Sequence, residues 1–513
     1  MWKLLQRGGV VSGGLGVEYG TAMLRTLLLA RILGPSEFGT VVSLNVLYAV
    51  VTMGTFVGID RFLVHAAGGG SRTLLGATHA VNLVRGVLAA SLLLVLAVPT
   101  AAAFSLQFAR GSFLTLAGVA LLGGFTHLRI QQVQRQDVFW PDALVTSCAS
   151  LIGLVAAVAA ALVLRDYRAV LWGLYANVGS QVLLSHLLAR VPYRLSFNRE
   201  RLVRAVQFGW PLALNGLALA LVVQLDRVIV GAWLGMATLG RYGLLTTLVF
   251  TPVAVLFRAA TAICQPRLAA AWRTTDSHGF SALFGQVASW MALLGLIAAA
   301  LIATLGSPLI RIVFGARFGV SDTFVMLLAL ALVLRVVNRA GHVAGLAVGR
   351  TTDMMLSNLA GASGLLLTVL GLAWRPELAM VSVGILVGDA IGTVVIFHRL
   401  ASCFGRNRRV FAYGVFVKAL AVIIALDLWL LWLAPTLAVR ACVATTFLVA
   451  ATALAIRALV VARSVWQAGS ETNAPYEEPG EGRTDARADA PTWLLCPRGP
   501  VRRPLPHHQP PVT

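Results

Sequence analysis

The chain is 513 residues long, 58% hydrophobic and only 12% charged, with a mean hydropathy of +0.82. A soluble domain carries roughly 25% charged residues, so that class is excluded, as is a transmembrane barrel, whose strands alternate over segments of about 10 residues. The net charge of +21 would suggest nucleic acid in a soluble protein, but the basic residues sit mostly between apolar runs and read as topology signals, so no nucleic-acid partner is expected.

The opening segment "MWKLLQRGG" places charge before an apolar run, as a signal peptide would. The run contains Glu18 and Arg25 and lacks a clear cleavage site, so it reads as a retained first helix. Runs long enough to cross a bilayer then recur along the chain. Fourteen spans are expected, near 12–33, 40–64, 79–103, 112–133, 141–164, 169–190, 205–234, 240–266, 280–304, 322–347, 354–374, 378–400, 411–433 and 438–461. The expected fold is an all-α integral membrane protein of about 14 transmembrane helices, built as two parallel six-helix repeats plus two extra helices. Residues 1–200 would form the first lobe, 201–403 the second and 404–465 the two added spans. Residues 466–513, rich in Pro, Gly and charge, would be a disordered cytoplasmic tail.

With the N-terminus inside, basic residues in cytoplasmic loops outnumber those outside by about 22 to 9. That asymmetry has the sign the positive-inside rule requires. The expected location is the inner or plasma membrane, multi-pass, with both termini cytoplasmic. The five cysteines, Cys148, Cys264, Cys403, Cys442 and Cys496, are scattered and suggest neither a metal site nor a disulfide framework.

The corner "LARILGPSEFG", Leu29 to Gly39, returns in altered form as "GAWLGMATLG", Gly231 to Gly240. Gly34 and Gly39 fall on Gly235 and Gly240 at one offset of 201 residues, and Leu24 and Leu33 fall on Leu225 and Leu234 at the same offset. Six spans separate the copies, and an even number returns the chain to the same side. The halves therefore read as parallel repeats about an axis along the membrane normal, an architecture of transporters that alternate access between two lobes.

Several motifs carry a family resemblance. "LLLARILGPSEFGTVVSLNVL" followed by "VGIDRFLVHAAG" resembles the opening of the polysaccharide-unit flippases of the multidrug/oligosaccharidyl-lipid/polysaccharide exporter superfamily. "FGWPLALNGLALALVVQLDRVIVGAWLGMATLGRYGLL" resembles the start of their second lobe. "PRLAAAW", "PLIRIVFGARF" and "GLAVGRTTDMMLSNLAG" follow in the family's order, so the resemblance runs over roughly residues 8–460. It implies a carrier of lipid-linked saccharide units, usually on a polyprenyl diphosphate, from the cytoplasmic to the outer leaflet. The Pro-rich tail has no counterpart in the family pattern.

Charges inside the spans carry independent information, since each costs roughly 2.5–3.5 kcal/mol to insert. Glu18 and Arg25 lie seven apart in the first span, as a self-neutralising pair or as cavity residues. His79, Asn82 and Arg85 form a polar patch in the third, and Thr251, Arg258, Thr261 and Gln265 a stripe in the eighth. Arg335, Asn338, Arg339 and His342 follow i, i+3, i+4, i+7 and make one polar face of the tenth. Arg25, Arg85, Arg258 and Arg335 are expected to line the central cavity and hold the diphosphate, because guanidinium forks suit that anion. Glu18, Asn82, Thr251, Asn338, Arg339 and His342 would supply polar lining. Arg339 and Arg61 could instead snorkel to headgroups, and the adjacent Asp226 and Arg227 read as a local structural pair. Asp389 is either an ion-coupling site or, preferably, a counter-charge packed against an arginine.

No enzyme signature, metal site or cofactor motif is present in the sequence. The expected partners are a lipid-linked oligosaccharide and membrane lipids, with a polysaccharide polymerase or glycosyltransferases as further candidates. The alternatives are a lipid II flippase, a cation-coupled multidrug exporter and a membrane glycosyltransferase or polymerase.

Overall fold

The computed structural model describes residues 2–66, 71–136, 138–273 and 277–400. The thirteenth and fourteenth spans, the tail and Cys403, Cys442 and Cys496 lie outside the described residues. Within them the N-terminal half, called the first lobe for brevity, comprises α1 (Trp2–Leu33), α2 (Pro35–Gly54), α3 (Ile59–His65), α4 (Arg72–Ala103), α5 (Arg110–Gly123), α6 (Arg129–Gln132), α7 (Trp140–Leu164) and α8 (Ala169–Ala189). The second comprises α9 (Arg199–Leu234), α10 (Met236–Arg273), α11 (Ser277–Phe314), α12 (Asp322–Ala347), α13 (Thr351–Ala362), α14 (Gly364–Trp374) and α15 (Leu378–Leu400). Each of the first twelve expected spans overlaps a helix, but three are broken: the second into α2 and α3, the fourth into α5 and α6, and the eleventh into α13 and α14. Among the described residues, eight helices are long and apolar enough to cross a membrane.

Local signals set the helix ends. Ser71, Asn198 and Ser321 each accept the backbone N–H three residues on, at 3.1, 3.2 and 3.3 Å, and so start α4, α9 and α12. Gly123 and Gly124 end α5 early. The Asn82 amide of α4 donates to both of their carbonyl oxygens, at 3.3 and 2.9 Å, and supplies partners that the broken helix has lost.

The repeated corner is the same structure twice. Gly34 has φ 81° and ψ 172°, and Gly235 has φ 79° and ψ 172°. That region disfavours any residue with a Cβ, so the duplication seen as a sequence offset is a duplication of backbone path. The two corners also touch. A Cβ at Gly39 would overlap the carbonyl oxygen of Met236, and a Cβ at Gly240 would overlap that of Pro35. Met236 is the counterpart of Pro35 at the repeat offset, so the contact is reciprocal, as a two-fold axis demands. The lobes therefore meet backbone to backbone at this end, which we call the corner end.

At the opposite end, residues 190–198 link the lobes, and a ring cluster pins that linker to the first lobe. His79 stacks on Tyr193 at 4.3 Å, and His127 packs edge-on to His79 at 4.6 Å. The Leu128 N–H donates to His79 Nε2 at 3.2 Å, so Nδ1 carries the proton and donates to the Arg194 carbonyl at 3.1 Å. By the same logic, His127 accepts from Arg129 N–H at Nδ1 and donates from Nε2 to the Val191 carbonyl. Burial pushes the phenol pKa of Tyr193 up.

The first helices of the two lobes are held differently. α1 packs along α7 of its own lobe, with Gly14 close against Ala143. The linker-end half of α9 leans on the other lobe: Gly209 meets Val57, Gly216 meets Met53, and Phe208 lies 5.5 Å from Phe62.

Candidate functional site: cavities within and between the lobes

A polar cavity of about 660 Å³ lies inside the first lobe in its linker-end half. It owes its shape to two breaks in the helices. Gly58, at φ 56°, turns the chain from α2 into α3 and brings Asp60 and Arg61 to the rim. The early end of α5 opens the opposite wall and admits Gln131 and Gln134. Arg85 projects from α4, its Nε donating to Asn82 Oδ1 at 3.1 Å. Asn82 thus holds the broken α5 and orients Arg85 together. Asp142, Gln181, Tyr48 and Phe56 complete the polar and aromatic lining. Among the described residues no carboxylate forms an ion pair with Arg85.

A second cavity, about 130 Å³, lies inside the second lobe between α9 and α12–α15. Its charges are answered by protein. Arg335 Nε donates to both oxygens of Asp389, at 3.0 and 3.3 Å, and its guanidinium sits 4.0 Å over the Phe250 ring. Arg339 lies over Phe257 at 5.3 Å and donates to His342 Nδ1 at 3.3 Å. The Asn338 amide donates to Ser357 Oγ at 3.2 Å, and that hydroxyl donates to the Gly392 carbonyl at 2.7 Å. The polar face expected on α12 is real, and α13 and α15 satisfy much of it. Asp389 stands as the counter-charge to Arg335.

A third cavity, about 320 Å³, lies between the lobes and is lined by α1, α2, α8, α9 and α10. Arg25 reaches it from α1 and Arg227 from α9, and Tyr48 lines both this cavity and the first.

The four arginines expected to share one cavity are therefore separated in this conformation. Arg85 faces the first cavity, Arg335 the second and Arg25 the third. Arg258 lines none of the three; it is exposed and lies 4.9 Å over the Tyr19 ring, across the lobe boundary. Thr251 also lines none of them. The self-neutralising Glu18–Arg25 pair is not formed: seven residues put the two side chains on one face but about 10 Å apart along the axis. The sequence reading missed the acids and amides of the first cavity, because Asp60, Gln131, Gln134 and Asp142 lie at helix ends that only the tertiary fold turns inward.

Two sets of helices that meet backbone to backbone at a repeated corner, with polar cavities within and between them and eight helices apolar enough to cross a membrane among the described residues, define a multi-pass helical membrane fold. The family model for polysaccharide biosynthesis proteins matches residues 28–321, and the chain belongs to that family. No curated protein matches the chain. Among solved structures it resembles the lipid II flippase MurJ in an inward closed conformation, at TM-score 0.68 and 10% identity, over 88% of this chain and 99% of that one. It also resembles a multidrug resistance MATE family transporter of the MOP superfamily in an inward-facing conformation, at TM-score 0.57 and 14% identity, over 80% and 95%. A Vibrio cholerae MATE transporter, VcmN, follows at TM-score 0.54 and 12% identity, over 78% and 97%. At these identities the likeness speaks for the fold alone.

Proposed function

We propose that the protein moves a polyprenyl-diphosphate-linked saccharide unit from the cytoplasmic to the outer leaflet, for cell-surface polysaccharide synthesis. The observation that carries this reading, beside the family membership, is the first cavity. Amides, carboxylates and aromatic rings at membrane depth are the groups that bind sugar hydroxyls and ring faces. A purely lipid or purely cationic cargo has no use for so many neutral donors. In the proposed orientation both termini and the linker end face the cytoplasm, so the first cavity loads from that side and the corner end forms the outer seal. The protein carries no chemistry of its own; a polymerase or glycosyltransferase acts on what it delivers.

Within this reading Arg25 and Arg85 are the cavity arginines available to a diphosphate, and Asn82 positions Arg85. Asp389 serves as a counter-charge that lets Arg335 remain buried, rather than as an ion-coupling site. Glu18, Thr251, Asn338, Arg339 and His342 have supporting roles.

A second reading has one observation in its favour. Asp60 and Asp142 balance Arg61 and Arg85 in the first cavity, so charge sign alone does not exclude an exporter of organic cations. Mass spectrometry of lipid extracts from cells with and without the protein separates the two. Loss of the protein is expected to accumulate a polyprenyl-diphosphate saccharide on the cytoplasmic side. Unchanged lipid pools together with raised sensitivity to cationic drugs would instead establish the exporter.

A further inference from the structure

The linker between the halves, residues 190–198, is seated on three of its backbone groups. The Val191 carbonyl accepts from His127 Nε2 at 3.2 Å, the Arg194 carbonyl accepts from His79 Nδ1 at 3.1 Å, and the Ser196 N–H donates to the Gly76 carbonyl at 3.0 Å. Just past the linker, Arg201 of α9 donates to Ser71 Oγ at 2.9 Å, at the start of α4. Tyr193 adds its ring, stacked on His79, while its buried hydroxyl has no hydrogen-bond partner. Two imidazoles and a flat ring therefore make most of the seat.

Each imidazole has a second nitrogen, and that nitrogen serves the wall of the first cavity. His79 Nε2 accepts the Leu128 N–H at 3.2 Å, and His127 Nδ1 accepts the Arg129 N–H at 3.2 Å. These two N–H groups lie where α6 begins, so no intrahelical carbonyl answers them. The same stretch of chain supplies Gly123, Thr126, Leu128, Gln131 and Gln134 to the cavity lining. A neutral imidazole has one donor and one acceptor, so each ring holds linker and wall at once, and a ring displaced from one is displaced from the other. Asn82, one turn along α4 from His79, holds the Gly123 and Gly124 carbonyls and orients Arg85. Linker and cavity arginine are thus joined through His79, the break between α5 and α6, and Asn82.

We infer that His79 and His127 are positioning residues for the cargo: they couple the seat of the linker to the wall of the first cavity, so that drawing the linker off its seat loosens the α5–α6 break and, through Asn82, frees Arg85. This rests on the flippase reading. It adds a route by which movement between the halves reaches a cavity lined by one of them alone. The linker is the segment that joins α8 to α9, so a parting of the halves at this end pulls on it. Cargo held while the linker is seated is released when it lifts.

The test perturbs the linker and reads the wall, by hydrogen–deuterium exchange of the full-length protein in detergent. Tyr193→Ala removes the ring from the seat and should raise exchange of the amides at 124–132 about threefold or more, as the loss of one or two hydrogen bonds would. Tyr193→Phe discards only the unpartnered hydroxyl and should exchange as the wild type does. Should Tyr193→Ala fail to fold, Tyr193→Leu takes its place with the same sign of effect. His79→Gln divides the imidazole: a glutamine amide reaches the Nε2 position, so the wall contact is kept and the linker contact is lost. In that variant the wall should stay protected, and adding Tyr193→Ala should no longer loosen it. Cells with His79→Gln as their only copy should accumulate the lipid-linked saccharide severalfold over wild type, and pools at the wild-type level would overturn the role in transport. A wall that ignores Tyr193→Ala, or that loosens equally with and without His79→Gln, would overturn the coupling. If the wall ignores the linker while cells lacking the protein still accumulate lipid-linked saccharide, the coupling fails and the flippase reading stands. If the wall follows the linker but cells lacking the protein have unchanged lipid pools, the coupling stands and the flippase reading fails.

Discussion

The two halves of the chain share one corner geometry and treat their charges in opposite ways. In the second lobe, Arg335 is answered by Asp389, and the amide of α12 is answered by Ser357 on α13. In the first lobe, Arg85 is held in position by Asn82, and among the described residues no carboxylate pairs with it. The first helices diverge in parallel: α1 lies on α7 within its own lobe, whereas α9 lies partly on α2 of the other. The corner follows one backbone path in both halves, while the side chains around it differ. One lobe came to spend its polar groups on its own packing, and the other kept them facing a cavity.

That contrast can be broken most directly at the Arg335–Asp389 pair. Asp389→Asn should destabilise the protein by about 2 kcal/mol, because it leaves the half-buried Arg335 guanidinium without its charged hydrogen-bond partner, and should show as a lowered unfolding midpoint in detergent. The double replacement Arg335→Met with Asp389→Leu should recover most of the loss. If Asp389→Asn were as stable as the wild type yet failed to transport, the acid would be an ion-coupling group and the second lobe would not be the self-satisfied one.

In the first lobe the expected effect falls on transport instead. Arg85→Gln removes a charge-assisted donor worth about 1.5–3 kcal/mol, so flipping of a lipid-linked saccharide in reconstituted vesicles should slow by roughly tenfold to a hundredfold. The unfolding midpoint should stay near the wild-type value, the reverse of the Asp389 result.

The corner tests where the lobes remain equivalent. Gly39→Ala and Gly240→Ala each drive a methyl group into the facing backbone, and each should cost about 2 kcal/mol in the conformation described here. Distances between spin labels placed across the corner should lengthen by similar amounts in both. A large difference between the two variants would show that the reciprocal contact does not hold in the membrane.

The smallest effect is expected at Arg258. It is an exposed cation over Tyr19, a contact worth about 0.5–1 kcal/mol. Arg258→Gln should change vesicle transport less than about fivefold. A loss as large as that of Arg85→Gln would return Arg258 to the central site in another conformation.

Much of this was legible from the sequence because the rules involved are local. Apolar runs marked the helices, since a bilayer leaves backbone groups no partner outside the segment. The 201-residue offset marked the repeat, since glycine alone tolerates the corner's φ. The polar stripe of α12 followed from helical periodicity. None of these needs knowledge of what lies across the gap.

The tertiary structure alone decided which charge meets which. Asp389 finds Arg335 across 54 residues of chain, and Tyr242 takes Asp226 away from the neighbouring Arg227. His79 turns from the cavity side to hold the linker. Spacing along a helix fixes the face on which a side chain stands, whereas its partner depends on packing between helices far apart in sequence. The sequence thus determined a helical membrane protein with a repeated corner and arginines inside its spans, and the fold decided that Arg335 is neutralised while, among the described residues, Arg25, Arg85 and Arg227 have no ion-pair partner.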